Sequence, residues 1–301
     1  MNEVNLSYII TTKNKLQYLR HVIEKLLTEI QSDEEIVVVD SDSNDGTKEY
    51  LTELFNKRLI HKYLSEKDFA QAHGCNKALL MAEGKLLKII NDDDMFFYEG
   101  IRKCKHFMLE HPEIDLIGTD GAGINCQNND FHYHSTYPAY LNSFKKWKDN
   151  KTPFAFCDLG LMIRKSSLPY LGLFNPDYFR LDAEYTLRAS ALPKTRIAWY
   201  TGHCWVRMAN EMSVSTRNPK NMIGEWEKLE LIYLGKKPRG KTVYFAFKVM
   251  RKIMKVIRGL ILFGKKEQKN MLNKYSWEEH CEKAALWLEK MNKNNGASFH
   301  T

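Results

Sequence analysis

What most limits the fold is a unit repeated through the first hundred residues: a short apolar run, a polar cluster where it stops, then an amphipathic stretch. Leu6-Ser7-Tyr8-Ile9-Ile10 ends at Thr11-Thr12-Lys13-Asn14, Ile36-Val37-Val38-Val39 ends at Asp40, and Leu86 to Ile90 ends in Asn91-Asp92-Asp93-Asp94. After the first run, Leu19, Val22, Ile23, Leu26, Leu27 and Ile30 recur at three- and four-residue spacing, which predicts a helix over about 18–30. A helix from near Thr47, a strand near Leu59 to Leu64 and a helix from Ala72 to Met81 continue the alternation. Such alternation makes βαβ units, so the expected class is α/β, a mostly parallel Rossmann-type sheet flanked by helices. In open sheets of this kind ligands bind beyond the carboxyl ends of the strands, where all three polar clusters fall.

Two of those clusters carry chemistry. Three adjacent carboxylates at Asp92, Asp93 and Asp94 repel one another unless solvent or a cation relieves them. Mg²⁺ or Mn²⁺ suits the position, because these hard ions take one or two carboxylates and leave the other places to substrate phosphates. The run Asp40-Ser41-Asp42-Ser43-Asn44-Asp45-Gly46-Thr47 offers short acceptors for ribose hydroxyls or a base edge, and its Asp45-Gly46 turn opens the next helix. Residues from about 125 to 153, rich in aromatic and polar groups, read as a loop or lid. Beyond them Phe154 to Ile163 reads as a strand, Asp182 to Ala191 as a helix and Arg196 to Tyr200 as a strand.

In this order and spacing the segments resemble the inverting family 2 glycosyltransferases of GT-A fold. Thr11-Thr12-Lys13-Asn14 stands where that family has a Pro-Thr-Tyr-Asn-like turn, and Asp40 to Thr47 matches its Asp-Ser-Gly-Ser-Thr-Asp-Gly-Thr pattern, with Asp42 in place of the usual Gly. Ser65 to Asp68, Asn76-Lys77-Ala78 and Ala82-Glu83-Gly84 lead into Asn91 to Asp94 as the family leads into its metal-binding DXD turn. Gly172-Leu173-Phe174-Asn175 and the stretch from Leu181 to Arg188 resemble the acceptor-side segment. The resemblance implies a nucleotide-sugar donor contacted by Thr11, Thr12, Lys13, Asn14, Asp40, Asp42, Asn76, Asp92 and Asp93. It implies Mn²⁺ or Mg²⁺ at Asp92 and Asp94, with His203 as a further candidate ligand. The general base for a single displacement is Asp182 or Glu184, since the alignment puts Asp182 at the family's acid while Leu181 replaces the acid that normally precedes it.

At 301 residues the chain suits one catalytic unit with an appendage: a catalytic domain over 1–215, nucleotide-sugar-binding to about 120 and acceptor-binding after it, then a helical region over 216–301. The net charge of +8 is local, for between Lys236 and Lys269 twelve Lys or Arg face one acid, Glu267. Over about 241–266, Lys248, Arg251, Lys252, Lys255 and Arg258 share one helical face and apolar residues fill the rest. A helix of that kind suits the interface of an anionic membrane rather than a span. Confinement of the charge to this tail argues against a nucleic-acid-binding protein, and the lack of a Gly-rich basic loop after the first strand argues against a nucleotidyltransferase. Scattered cysteines without a CxxC pair predict reduced thiols. Acidic Glu3 and the absence of an early apolar run predict no targeting peptide, hence a cytoplasmic enzyme at the inner face of the cell membrane. Its partners would be a nucleotide-sugar donor, a glycan or lipid-linked acceptor and a second copy in a homo-oligomer, serving surface polysaccharide synthesis.

Overall fold

The computed structural model describes residues 3–126, 130–236, 275–294 and 296–301; the basic stretch 241–266 lies outside them. Its elements are β1 (Leu6–Thr12), α1 (Leu16–Glu29), β2 (Glu34–Asp40), α2 (Thr47–Asn56), β3 (Lys62–Ser65), α3 (Gln71–Met81), β4 (Leu86–Asn91), β5 (Met95–Phe96) and α4 (Tyr98–Glu110). There follow β6 (Leu116–Asn125), β7 (Asp130–Ser135), α5 (Ala139–Asn150), β8 (Met162–Arg164), α6 (Leu168–Leu171), α7 (Leu181–Ala191), β9 (Ile197–Ala209), α8 (Val214–Arg217), α9 (Pro219–Leu234), α10 (Trp277–Asn294) and β10 (Phe299–His300).

Among the described residues the strands join in one sheet of order β10-β9-β6-β8-β4-β1-β2-β3, with β5 added to β9 and β7 to β6. β1 is parallel to β2 and to β4, and β3 extends that parallel set. The register pairs Thr12 with Asp40 and Thr11 with Asn91, so the three polar strand ends finish at one level. Beyond residue 100 the pairing is mixed: β8 runs antiparallel to both β4 and β6, whereas β6 and β9 are parallel.

Both faces of the central strands are buried, which is why their sequences are continuously apolar rather than alternating. Tyr8, Ile10, Ile36 and Val38 face a core built with α1, α2 and α4, and Ile9, Val37 and Val39 face a second core built with α3, α5 and α7. The β6–β9 seam depends on small residues. A Cβ on Gly118 would lie 2.2 Å from the Trp199 ring, so only glycine lets that indole cover the strand.

Residues 125–153 are not a lid. Asp130–Ser135 forms β7 against β6 and Ala139–Asn150 forms α5, whose Leu141, Phe144 and Trp147 are buried; the Trp147 indole N–H donates to the Ser190 carbonyl at 2.8 Å. The stretch after Phe154 is extended but pairs with β4 only from Met162; before that it makes a 3₁₀ turn at Asp158–Gly160. The segment after α9 returns to the sheet, α10 packing on β9 and β10 pairing Phe299 with Tyr200. All six cysteines are unpaired.

His203 belongs to this α10–β9 seam. Its backbone N–H donates to Asn292 Oδ1 at 3.1 Å, and Asn292 Nδ2 donates to the His203 carbonyl at 2.8 Å. The ring is edge-on to Trp287 and hydrogen-bonds Ser135 Oγ through Nε2 at 2.8 Å. It is 1% exposed and does not border the cavities at the strand ends, so the structure sets it apart from the acids it was expected to join. Burial pushes the imidazole down to about 4.

Lys105, almost wholly buried, donates to Asp33 at 3.0 Å, Glu34 at 2.7 Å and Gln31 at 2.8 Å; Lys105→Met leaves Glu34 buried and unpaired and should lower unfolding free energy by about 3–5 kcal/mol in urea titrations. His203 stays neutral in the fold but takes up a proton near pH 6.5 once unfolded, so its contribution is complete above that pH and is lost as pH falls toward 4. His203→Gln should make the stability–pH curve shallower across that window by up to about 1.4 kcal/mol per pH unit, read by thermal melts at half-unit intervals.

Candidate active site

The carboxyl ends of β1, β2 and β4 open into a cleft of about 630 Å³, walled by Thr11, Thr12, Lys13, Asn14 and Lys15 on one side and by Asp177, Tyr178, Phe179 and Arg217 on the other. A smaller cavity of about 120 Å³ adjoins it and is lined by Asp92, Asp93, Asp94, Asp158, Asp182 and Arg207. Lys15, Gln71, Asp92, Phe179 and Val214 border both. The fold thus brings the acids after β4 and the acid at the start of α7, some ninety residues apart in sequence, to one small space.

Each acid of the triplet has its own anchorage. Asp92 Oδ1 accepts from Lys15 Nζ at 2.9 Å, and Asp93 Oδ2 accepts from the same ammonium at 2.8 Å. Asp93 Oδ2 also accepts from Asn210 Nδ2 at 2.9 Å and from Ser213 Oγ at 3.3 Å. Asp94 Oδ1 accepts the Met208 N–H at 2.7 Å, and Asn91 Nδ2 donates to its other oxygen at 3.2 Å. All three are about 5% exposed. Burial pushes Asp92 up to about 6 against the pull of Lys15, and burial with the Asp93 charge pushes Asp94 up to about 8. Although burial opposes its charge, Lys15 is held above the ordinary lysine range by Asp92 and Asp93.

One ammonium facing three carboxylates leaves negative charge in excess, and every donor in the triplet is a hard oxygen. The set fits a small divalent cation such as Mg²⁺ or Mn²⁺, with Asp92 and Asp94 each keeping acceptor capacity beyond the bonds described. A second group, Cys157, Asp158 and Asp182, has its ligand atoms within 4.8 Å of one another. Burial pushes the Cys157 thiol well up and Asp158 up to about 7, the latter helped by the Asp182 charge. A thiol is a soft donor and a poor partner for a hard ion, so within this group Asp158 and Asp182 are the oxygen ligands it could offer.

The two acids of α7 are in different situations. Glu184 is buried and takes Arg188 Nε at 2.8 Å, Arg188 Nη2 at 3.1 Å and Tyr233 Oη at 3.1 Å. Asp182 borders the small cavity, accepts the Ala183 N–H at 2.7 Å, and is held above the usual aspartate range by burial, with Arg180 and Arg207 pulling the other way.

Several expected donor contacts serve the loops instead. Asp40 is fully buried and accepts from the Ser43 N–H at 3.1 Å, the Ser43 hydroxyl and the Ser65 hydroxyl at 2.7 Å, so it ties the loop after β2 and does not reach the cleft. Asp42, at φ 54°, is exposed on that loop away from the cleft lining. Asn76 spends its amide on both backbone groups of Phe174, at 2.8 and 2.9 Å. Asn14 borders the cleft but also fixes it, accepting the Asn44 N–H and donating its own N–H to Ser43 Oγ, both at 2.8 Å. Thr11, Thr12 and Lys13 line the cleft. Lys15, Asp158, Arg207, Asn210 and Ser213 line or brace the site without having been singled out in the sequence. Phe69, 85% exposed at the rim, lies flat on His73 with ring centroids 4.1 Å apart.

Comparison with known proteins agrees with this architecture. A glycosyltransferase of Bacillus subtilis named for teichuronic acid biosynthesis, TuaG, is 30% identical over 128 residues, 40% of this chain and 50% of that one. An uncharacterised glycosyltransferase of Rickettsia conorii is 28% identical over 149 residues, 48% of this chain and 24% of that one. The chain thus spans half or less of these relatives. Among solved structures, S. aureus TarS with UDP-GlcNAc superposes with a TM-score of 0.57 at 19% identity, over 76% of this chain and 66% of that one. The mannosyltransferase PcManGT of Pyrobaculum calidifontis with GDP-Man and Mn²⁺ gives 0.53 at 16%, over 97% and 71%. These likenesses establish the fold. Residues 7–170, more than half of the chain, match the sequence profile described as glycosyl transferase family 2, and the chain belongs to that family.

Proposed function

We propose that the chain is an inverting transferase that moves a sugar from a nucleoside diphosphate, UDP in the first instance, to a hydroxyl of a glycan or lipid-linked acceptor. The observation that carries this reading is the shared cavity: the Asp92–Asp94 triplet and Asp182 face one space of about 120 Å³ beside a cleft large enough for a nucleotide. Thr11, Thr12, Lys13 and Asn14 hold the nucleoside side, and Lys13 with Arg217 brings positive charge to the diphosphate. The donors bound by TarS and PcManGT support a nucleoside diphosphate sugar, and the name of TuaG supports synthesis of a surface polymer.

Asp182 takes the proton of the acceptor hydroxyl as that oxygen attacks the anomeric carbon from the face opposite the diphosphate. One base and an in-line approach suffice for a single displacement. Glu184 ties α7 to α9 through Tyr233 and orients Arg188, which reaches the Leu173 carbonyl, and it does not exchange protons with substrate. A divalent cation held by Asp92 and Asp94 supplies, when bound, positive charge against the departing diphosphate. Attachment to an anionic membrane through 241–266, at the cytoplasmic face, belongs to the same proposal; among the described residues no helix is long and apolar enough to cross a membrane.

The reading is tested with donor binding and transfer measured separately. UDP or a UDP-sugar with Mn²⁺ should raise the melting temperature of the wild type and of Asp182→Asn alike, while Asp182→Asn slows transfer by about 10²–10⁴-fold. Glu184→Gln should lower the melting temperature yet keep donor-induced stabilisation. Because Asp182 must be ionised, wild-type transfer should fall on acidification with a midpoint above about 4. Undiminished transfer by Asp182→Asn would take the base assignment away, and a protein that no nucleotide stabilises would take away the donor.

A further inference from the structure

Resting on that reading, we infer that Lys15 is an internal counter-ion that the metal must displace, so that the site takes up its cation together with a diphosphate and only poorly without one. The Lys15 ammonium sits between Asp92 and Asp93 at 2.9 and 2.8 Å, and its side chain is only 13% exposed. Those two carboxylates therefore already share one counter-ion in the free protein. Asp93 is further fixed by Asn210 and Ser213, and Asp94 by the Met208 N–H and Asn91. A divalent ion entering alone at Asp92 and Asp94 gains carboxylate contacts but takes Asp92 from the ammonium and sets a second positive charge beside it, with only Asp93 left as its partner, and a buried charge that loses part of its pairing is costly.

A diphosphate changes that balance. Lys15 borders the large cleft as well as the small cavity, so phosphate oxygens arriving in the cleft give the released ammonium a new anion while completing the metal's coordination. Lys15 thereby couples the two ligands, and by linkage each raises the affinity for the other by the same factor. The residue acts through the acids and the donor rather than on the reacting atoms, which makes it a positioning residue.

The test is Mn²⁺ binding followed by electron paramagnetic resonance of the free ion, with and without UDP, on wild type, Lys15→Met and Lys15→Gln. Removing the competing ammonium should tighten Mn²⁺ binding to the nucleotide-free protein by about tenfold or more, an energy of about 1.4 kcal/mol, and should weaken UDP binding at saturating Mn²⁺. The factor by which UDP improves Mn²⁺ affinity then shrinks. Lys15→Arg, which restores the charge, should return nucleotide-free Mn²⁺ affinity toward wild type. Should Lys15→Met fail to fold, Lys15→Gln is read the same way. Nucleotide-free Mn²⁺ affinity that is unchanged or weaker in the variants overturns the inference alone. A wild type that binds UDP but takes up no Mn²⁺ removes the metal from the proposed function and the inference with it.

Discussion

Keeping three consecutive carboxylates under the protein surface is the constraint from which most of this architecture can be understood. Each costs solvation that only hydrogen bonds or opposite charge restore, and no local segment supplies enough of either. Lys15 comes from the loop after β1, Met208 and Asn210 from the end of β9, and Ser213 from the turn before α8. A sheet that carries β4 near β1 on one side and brings β9 across through β5 is what allows these donors to meet. The mixed pairing beyond residue 100 is thus tied to the site, since β5 docks on β9 at Met95–Val206 and Phe96–Trp205, one residue past the triplet.

The same need for partners explains why polar residues around the strand ends divide into those that touch the cleft and those that hold its edges. Asp40 ends β2 and Asn76 lies in α3, and either short polar side chain would serve a ligand if its partners were absent. Ser43 and Ser65 close on Asp40, and the Phe174 backbone closes on Asn76. Asp45 spans two helix starts, accepting the Leu16 N–H at 3.0 Å and the Thr47 hydroxyl at 2.6 Å. A cleft wall built from such ties is rigid before any ligand arrives, which is how a site limits the ordering cost of binding.

The parallel half of the sheet was legible because buried β-branched strands and a well-spaced helix face leave few alternatives, and β1, β2, α3 and β4 begin within two residues of their expected starts. The stretch 125–153 was not, because its aromatic residues have no regular period; β7 and α5 are fixed by partners on β6 and α7, including Gly123 with His134 and Trp147 with Ser190. The acids at 92–94 and 182 announced themselves by clustering and by family pattern. Lys15, Arg207 and Asn210 carry no such mark, since their significance lies in contacts with residues far away in sequence. His203 was drawn toward the metal by the same family pattern, whereas its fate is set by Asn292 and Trp287, residues near the other end of the chain.

Helix geometry sets the two acids of α7 in different surroundings. Asp182 and Glu184 lie two apart, about 200° around a helix, so a single cavity cannot be served by both. Arg188 stands four residues after Glu184, the spacing at which side chains on one face meet, and six after Asp182, where they do not. The acid with a cation one turn away is the one the helix neutralises. Asp182, at the first turn, would ordinarily be eased toward ionisation by the helix dipole, whereas burial raises it above the usual aspartate range. A carboxylate in that state binds a proton more tightly than one in water, the property that the proposed role of Asp182 requires.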